Sequence, residues 1–172
     1  VKEFESVAPV RLIITPKGER VLDFGVNMVG YPILDIDAHE GDRVSLSFAE
    51  ILDKDGNFYN ENYRDAKCRY DYTCREGRQS FRPFGTFYGY RYVRLDEYPH
   101  DYKDGEIKSV WVHSDIKRTG KIESSSELIN KLYENIIRNG NINHIAVVRS
   151  SLNDGSHIIG VGEGVLGADN AV

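Results

Sequence analysis

Strict two-residue alternation is the feature that most constrains this chain. Across residues 43–49, Val44, Leu46 and Phe48 interleave with Arg43, Ser45 and Ser47. In an extended strand this puts three large apolar side chains on one face and the polar ones on the other. A helix cannot use the pattern, because a 3.6-residue period would scatter the same residues around its circumference. Other runs follow the same grammar. Residues 11–15 stop at Pro16-Lys17-Gly18, where proline fixes φ and glycine frees it. Residues 20–24 end at Gly25, and residues 29–38 end at His39-Glu40-Gly41-Asp42. After a polar connection over residues 50–67 come three more runs, at 68–74, 87–95 and 106–113. Short strands at regular spacing, punctuated by Gly and Pro, predict a mainly β fold: an antiparallel, jelly-roll-like β-sandwich over residues 1–117.

A chain of 172 residues can bury one real core and hardly two. Its net charge of −5 comes without a basic stripe, so nucleic acid and anionic membrane surfaces are not expected partners. It has no apolar run of ~18 residues to span a bilayer. The first residues are acidic, lack a hydrophobic signal segment and do not begin with Met, so the chain reads as processed or as starting inside a longer protein. Cys68 and Cys74 flank an alternating run, and six residues of strand would hold them about 20 Å apart, beyond disulfide reach. Both are expected as small buried hydrophobes, which favours a reducing, cytoplasmic setting. No cofactor or metal is expected.

Beyond residue 118 the pattern changes, and residues 118–172 are expected to hold one helix and an irregular tail. Ser124-Ser125-Ser126-Glu127 has the form of a capping box, with Ser124 accepting from the Glu127 N–H and the Glu127 carboxylate reaching back. Leu128, Ile129, Leu132, Tyr133, Ile136 and Ile137 then recur at helical spacing, which predicts an amphipathic helix over about 125–139 with Gly140 as its stop. The stripe from Leu128 to Ile137 needs a cover, and a second copy of the chain is one option. The last aromatic residue is Tyr133, and the remainder is rich in Gly, Ser, Val and Ile.

Three local patterns need weighing. Asp53-Lys54-Asp55-Gly56-Asn57 has the opening of a calcium loop, but Arg64 stands where the closing Glu belongs, so an Asp-Gly hairpin turn is expected. Gly160-Val161-Gly162-Glu163-Gly164 lacks the features of a phosphate loop. The aromatic cluster of Phe81, Phe84, Phe87, Tyr88, Tyr90 and Tyr92 supports two readings. Tyr88, Tyr90 and Tyr92 share one strand parity, as a packed sandwich face would, yet aromatic faces also stack on sugars. These three tyrosines are therefore the candidate carbohydrate-binding residues.

Four segments in order carry a resemblance. They are the run 15–30, which includes Asp23-Phe24-Gly25-Val26-Asn27-Met28-Val29-Gly30; the run 44–59; Phe87-Tyr88-Gly89-Tyr90-Arg91-Tyr92-Val93; and Val112-His113-Ser114-Asp115 leading to Arg118-Thr119-Gly120. Over roughly residues 7–140 the chain resembles the module that precedes the catalytic barrel in bacterial α-L-rhamnosidases, glycoside hydrolase family 78. The resemblance implies a concanavalin-like β-sandwich beside an (α/α)6 barrel that releases terminal L-rhamnose with inversion. It also implies that the helix is the first of that barrel, and that rhamnose-containing glycans are the partner class. Inverting chemistry needs an acid and a base carboxyl on opposite sides of the bond. Gly140-Asn141 matches the family, but residues 142–151 contain neither the family's Pro-Thr/Ser-Asp-Cys-Pro pattern nor a carboxylate. Asp154, Glu163 and Asp169 stand outside the motif, so no catalytic residue is assigned. The expectation is a non-catalytic sandwich, inactive alone, and the joint loss of motif and aromatics favours a gene truncated with a shifted frame over a diverged relative or a piece cut from a larger protein. A stand-alone carbohydrate-binding module and an interaction fragment are the alternatives.

Overall fold

The computed structural model describes residues 2–115 and 120–142, with side chains described as far as residue 134. The strands are β1 (Lys2–Val7), β2 (Arg11–Ile14), β3 (Arg20–Ala38), β4 (Arg43–Ala49), β5 (Ile51–Leu52), β6 (Phe58–Tyr59), β7 (Arg69–Thr73), β8 (Gly77–Phe81), β9 (Tyr88–Glu97) and β10 (Ile107–His113), followed by helix α1 (Glu127–Ile142). The main sheet runs β1-β10-β3-β9-β4-β7, with β2 and β8 also paired to β3. All pairings among the described residues are antiparallel. Beyond the runs expected from sequence, β1 and β8 are strands, and the two short runs at 20–24 and 29–38 are one element.

That element, β3, organises the fold. Its first residues pair with β2 and β9, and its later ones with β10 and β8. One 19-residue strand thus carries the chain from one half of the curled sheet to the other. Two sequence features permit the bend. Opposite β9 the register jumps from Asp23↔Tyr92 to Met28↔Tyr90, so Phe24 to Asn27 bulge out of the ladder. Pro32 then falls between the Gly30↔Tyr88 and Leu34↔Phe81 pairs, where β3 has no neighbour on that side to demand an N–H donor. Gly30 is required by contact: a Cβ there would lie 2.2 Å from the Val110 carbonyl oxygen.

The core between the halves gathers Leu22, Phe24, Met28, Leu34 and Ile36 of β3 with Val44, Leu46 and Phe48 of β4, and with Tyr70, Tyr90, Val93, Leu95 and Ile107. The alternation in β4 therefore points the expected residues inward. Its serine face is not solvated, however: Ser45 and Ser47 are buried too. Strand β4 lies between β9 and β7, and the Ser47 hydroxyl is satisfied by donating to Asp96 at 2.5 Å. Cys74 is buried and Cys68 only half-buried, and both are free thiols. Burial pushes the Cys74 thiol up.

The polar connection over 50–67 holds the small β5–β6 hairpin. Asp53 Oδ1 accepts the backbone N–H groups of Asp55 and Asn57 at 2.9 and 2.7 Å, and Gly56 takes φ 83°. The carboxylate thus closes a turn. Two expectations about the helix are corrected. It continues through Gly140 to Ile142, since one glycine in the last turn costs only about 1 kcal/mol. The Ser124–Glu127 box does not form either. Ser124 Oγ accepts from Ser126 N–H, while the Asn130 amide bonds both the N–H and the carbonyl of Ser124 at 2.8 Å. Leu128, Ile129 and Leu132 are exposed, whereas the side chains of Ile136 and Ile137 lie outside the described residues. The expected boundary at 117/118 and the tail from residue 143 on, with its Gly160–Gly164 run and Asp154, Glu163 and Asp169, also lie outside them. No helix among the described residues is long and apolar enough to cross a membrane.

Candidate functional site

Carboxyl chemistry comes first, because glycoside cleavage would require it. Asp23, at the brink of the β3 bulge, is 1% exposed, the one carboxylate in the buried class among the described residues. Arg11 of β2 reaches its Oδ2 through Nε and Nη2 at 3.1 and 3.0 Å. Arg91 of β9 donates from Nε to Oδ1 at 2.8 Å and from Nη2 to Oδ2 at 3.1 Å. Gly25 N–H adds a 2.7 Å bond to Oδ1, which its φ of 79° makes possible. Burial alone would raise this carboxyl's pKa, but hydrogen bonds from Arg91, Gly25 and Arg11 together hold it below the usual range.

Glu19 is held in the same way. Burial pushes it up, yet the Phe58 N–H, the Thr15 hydroxyl and Arg94, at 3.0, 2.9 and 3.0 Å, bring it below its ordinary value. Arg94 also donates to Asp96 at 2.6 Å. Every resolved carboxyl shift among the described residues is downward. A general acid for sugar cleavage needs the opposite, a carboxyl kept protonated near neutrality.

The three candidate tyrosines are not a platform. Tyr90 is fully buried, its hydroxyl 2.6 Å from Ser109 Oγ, and its ring lies 4.7 Å from that of Phe48. Tyr92 is 8% exposed and packs with Val21, Ala49 and Phe58 in a separate cluster. Shared parity does not bring Tyr88, Tyr90 and Tyr92 together: Tyr88 and Tyr90 pack with the main core and Tyr92 with the separate cluster, on either side of the register shift between β3 and β9. Tyr88 is half-buried, stacked on Phe48 at 4.3 Å, with its hydroxyl donating to the Arg69 carbonyl. Core packing has taken the tyrosine faces.

The phenylalanines of the same cluster are placed differently. Between β8 and β9, Arg82-Pro83-Phe84-Gly85-Thr86-Phe87 forms a loop whose tip carries Phe84 with its ring 100% exposed. Leaving such a ring in water forgoes roughly 2–3 kcal/mol of burial. Pro-Phe-Gly is the sequence signal for this tip, since Pro and Gly at a turn lift the intervening residue out of the sheet. The loop and β1 bound an open groove of about 310 Å³ that also includes Glu3, Tyr31 and Phe87. Arg82 Nη1 donates to both Glu3 carboxylate oxygens at 3.2 Å and to the Tyr31 hydroxyl oxygen at 3.3 Å. The Tyr31 hydroxyl first, and Arg82 with it, hold Glu3 below the ordinary carboxylate range.

Comparison with known proteins gives this architecture its relatives. Residues 13–113 match the family described as the bacterial α-L-rhamnosidase concanavalin-like domain, the span from the end of β2 to the end of β10. An α-L-rhamnosidase of Formosa agariphila is 35% identical over 128 residues, covering 73% of this chain and 14% of the relative. One from an Alteromonas species is 35% identical over 140 residues, covering 79% and 15%. Among solved structures, the α-L-rhamnosidase of Aspergillus terreus superposes with TM-score 0.73 at 32% identity, covering 81% of this chain and 17% of that one. The Streptomyces avermitilis α-L-rhamnosidase complexed with L-rhamnose gives TM-score 0.74 at 29% identity, covering 83% and 14%. The chain thus spans about one seventh of the length of the curated relatives it matches. Fold, motif order and these matches agree: the chain belongs to the bacterial α-L-rhamnosidase family and carries its concanavalin-like β-sandwich domain.

Proposed function

We propose that this chain provides the non-catalytic β-sandwich of an α-L-rhamnosidase acting on rhamnose-containing glycans, and that it does not hydrolyse them by itself. The observation that carries this reading is the state of the carboxylates. Asp23, the deepest ion-paired carboxylate among the described residues at 1% side-chain exposure, and Glu19, at 19%, are each engaged by arginine and backbone donors and shifted to lower pKa. Their acidity suits a structural role in joining strands, the reverse of what proton donation to a leaving glycosidic oxygen demands.

On this reading the division is between a sandwich through residue 117 and a helical portion beyond it, with α1 as the first helix of the catalytic barrel. The exposed Leu128, Ile129 and Leu132 support that role, since an amphipathic helix gains most of its stability from packing its apolar stripe. The test is release of p-nitrophenol from p-nitrophenyl α-L-rhamnopyranoside by the purified chain. The expected result is no release above the uncatalysed rate. Turnover that survives removal of trace contaminants and scales with protein concentration would overturn the proposal.

A further inference from the structure

We propose that the groove between β1 and the 82–87 loop binds a neutral saccharide, with Phe84 stacked on the C–H face of a pyranose ring and the Arg82–Glu3 pair meeting its hydroxyls. The inference deepens the proposed function and rests on it for the choice of an α-L-rhamnoside as probe.

Three observations converge on this class of ligand. The first is the ring itself. Phe84 stands wholly in solvent at a loop tip, and Phe87 on the same loop is 42% exposed, whereas the neighbouring tyrosines are committed to the interior. The other exposed apolar residues are of a different kind. Phe4 and Phe81, 46% and 39% exposed, have their rings stacked on His113 and Tyr72, and Val10, Leu12 and Ile14 around β2, like Leu128, Ile129 and Leu132 on α1, are aliphatic and offer no flat face.

The second observation is the polar rim. A sugar presents a C–H face bordered by hydroxyls that both donate and accept. Arg82 supplies N–H donors, and among the described residues only its Nη1 is engaged. Glu3 supplies carboxylate lone pairs, and Thr86 lines the same groove. An apolar protein surface laid over this rim would strip water from a guanidinium and a carboxylate and give nothing back. Hydroxyls replace that water bond for bond.

The third observation is charge balance. Each charge in the groove already has its opposite, Arg82 with Glu3 and Lys2 with Asp115. Among the described residues the groove therefore holds no uncompensated cation to select a phosphate or a uronate, and no free carboxylate to select an amine. At about 310 Å³ it is at the small end of ligand pockets, which suits a short saccharide.

The test is a titration of the ¹⁵N-labelled 172-residue chain with methyl α-L-rhamnopyranoside, and in parallel with sorbitol, an acyclic polyol that has hydroxyls but no ring face. The expected result is saturable shifts of the Glu3, Gly85, Thr86 and Phe87 amides with the glycoside alone, with Kd on the order of 1–10 mM. Phe84→Ala should weaken binding at least tenfold and move the thermal midpoint by less than ~1 °C, because the ring touches no core. Arg82→Gln should weaken it to a similar degree. The proposal is overturned by shifts that never saturate, by equal shifts with sorbitol, or by unchanged affinity in the Phe84→Ala protein. It is also overturned if the same amides shift with protein concentration without sugar, which would assign the groove to a second copy. Glycoside hydrolysis by the same sample reads the proposed function separately: absent binding leaves that function standing, and observed hydrolysis leaves the groove untouched.

Discussion

Asp23→Asn should destabilise the fold by about 3–4 kcal/mol at neutral pH, and the ranking of its partners shows why. Asp23 accepts five hydrogen bonds, four of them from two guanidinium groups, while being 1% exposed. The amide keeps an acceptor for Gly25 but turns N–H groups toward arginine donors and removes the charge, which in a buried pair costs about 3–5 kcal/mol. The lower part of that range applies because the stranded cations can reach water: Arg11 is 63% and Arg91 33% exposed. Arg91→Ala leaves the buried carboxylate with Arg11 and Gly25 only, and should cost about 2–3 kcal/mol. Arg11→Ala removes the more solvated partner, for about 0.5–1 kcal/mol. Urea denaturation followed by circular dichroism reads all three, against a total stability of roughly 5–15 kcal/mol for a domain of this kind. The carboxyl also predicts a pH dependence. Its folded pKa lies below the ordinary aspartate value of 3.8, so its stabilisation is present above that value and disappears as pH falls through the lower folded pKa. The amide in the Asp23→Asn protein cannot titrate, so that variant should lack the acid step. Equal losses for Arg11→Ala and Asp23→Asn, or an Asp23→Asn loss under 1 kcal/mol, would refute the claim that the buried carboxylate is the centre of the cluster.

Two further outcomes test the packing. Gly30→Ala should cost about 3 kcal/mol or prevent soluble expression, because the new Cβ meets a backbone carbonyl that cannot rotate away; a midpoint in urea close to wild type would contradict it. Tyr90→Phe should cost about 1–3 kcal/mol by orphaning buried Ser109, and Tyr90→Phe with Ser109→Ala should cost less than the sum of the two single changes in a double-mutant cycle.

Strand identity was legible in the sequence wherever one face meets the core. Val44, Leu46 and Phe48 are the plainest case, and Leu34 and Ile36 are another. Legibility failed where tertiary context overrides the two-residue period. Ser45 and Ser47 read only as the polar face of their strand, but β7 and β9 flank it and both residues are buried. Strand β8, Gly77–Phe81, has no apolar alternation to detect, because it is an edge strand whose Gln79 spends its amide on local turn carbonyls of Arg75 and Gly77. The aromatic cluster was legible as a cluster and not as a site. Parity could not foresee that Tyr90 and Tyr92 would pack into different clusters across a register shift, or that Pro83 and Gly85 would lift Phe84 clear of the sheet.

The segments that carry the family resemblance turn out to be bonded to one another. Asp23 of the first is held by Arg91 of the third, and Asn27 of the first donates to Glu50 of the second at 3.2 Å. Tyr90 of the third is tied to Ser109 of β10, the strand that leads into the fourth. Within the first segment, Asp23 fastens the start of the bulge and Gly25 supplies its left-handed backbone. Phe24 and Met28 enter the core, and Gly30 passes the Val110 carbonyl. Each residue type in Asp23–Gly30 that stands out therefore answers to the problem of carrying one long strand between two halves of a curled sheet. A sequence motif of this kind identifies a family through its scaffold. Its residues are engaged in building the sandwich, which is why the chemistry open to solvent lies elsewhere, on the short loop between β8 and β9.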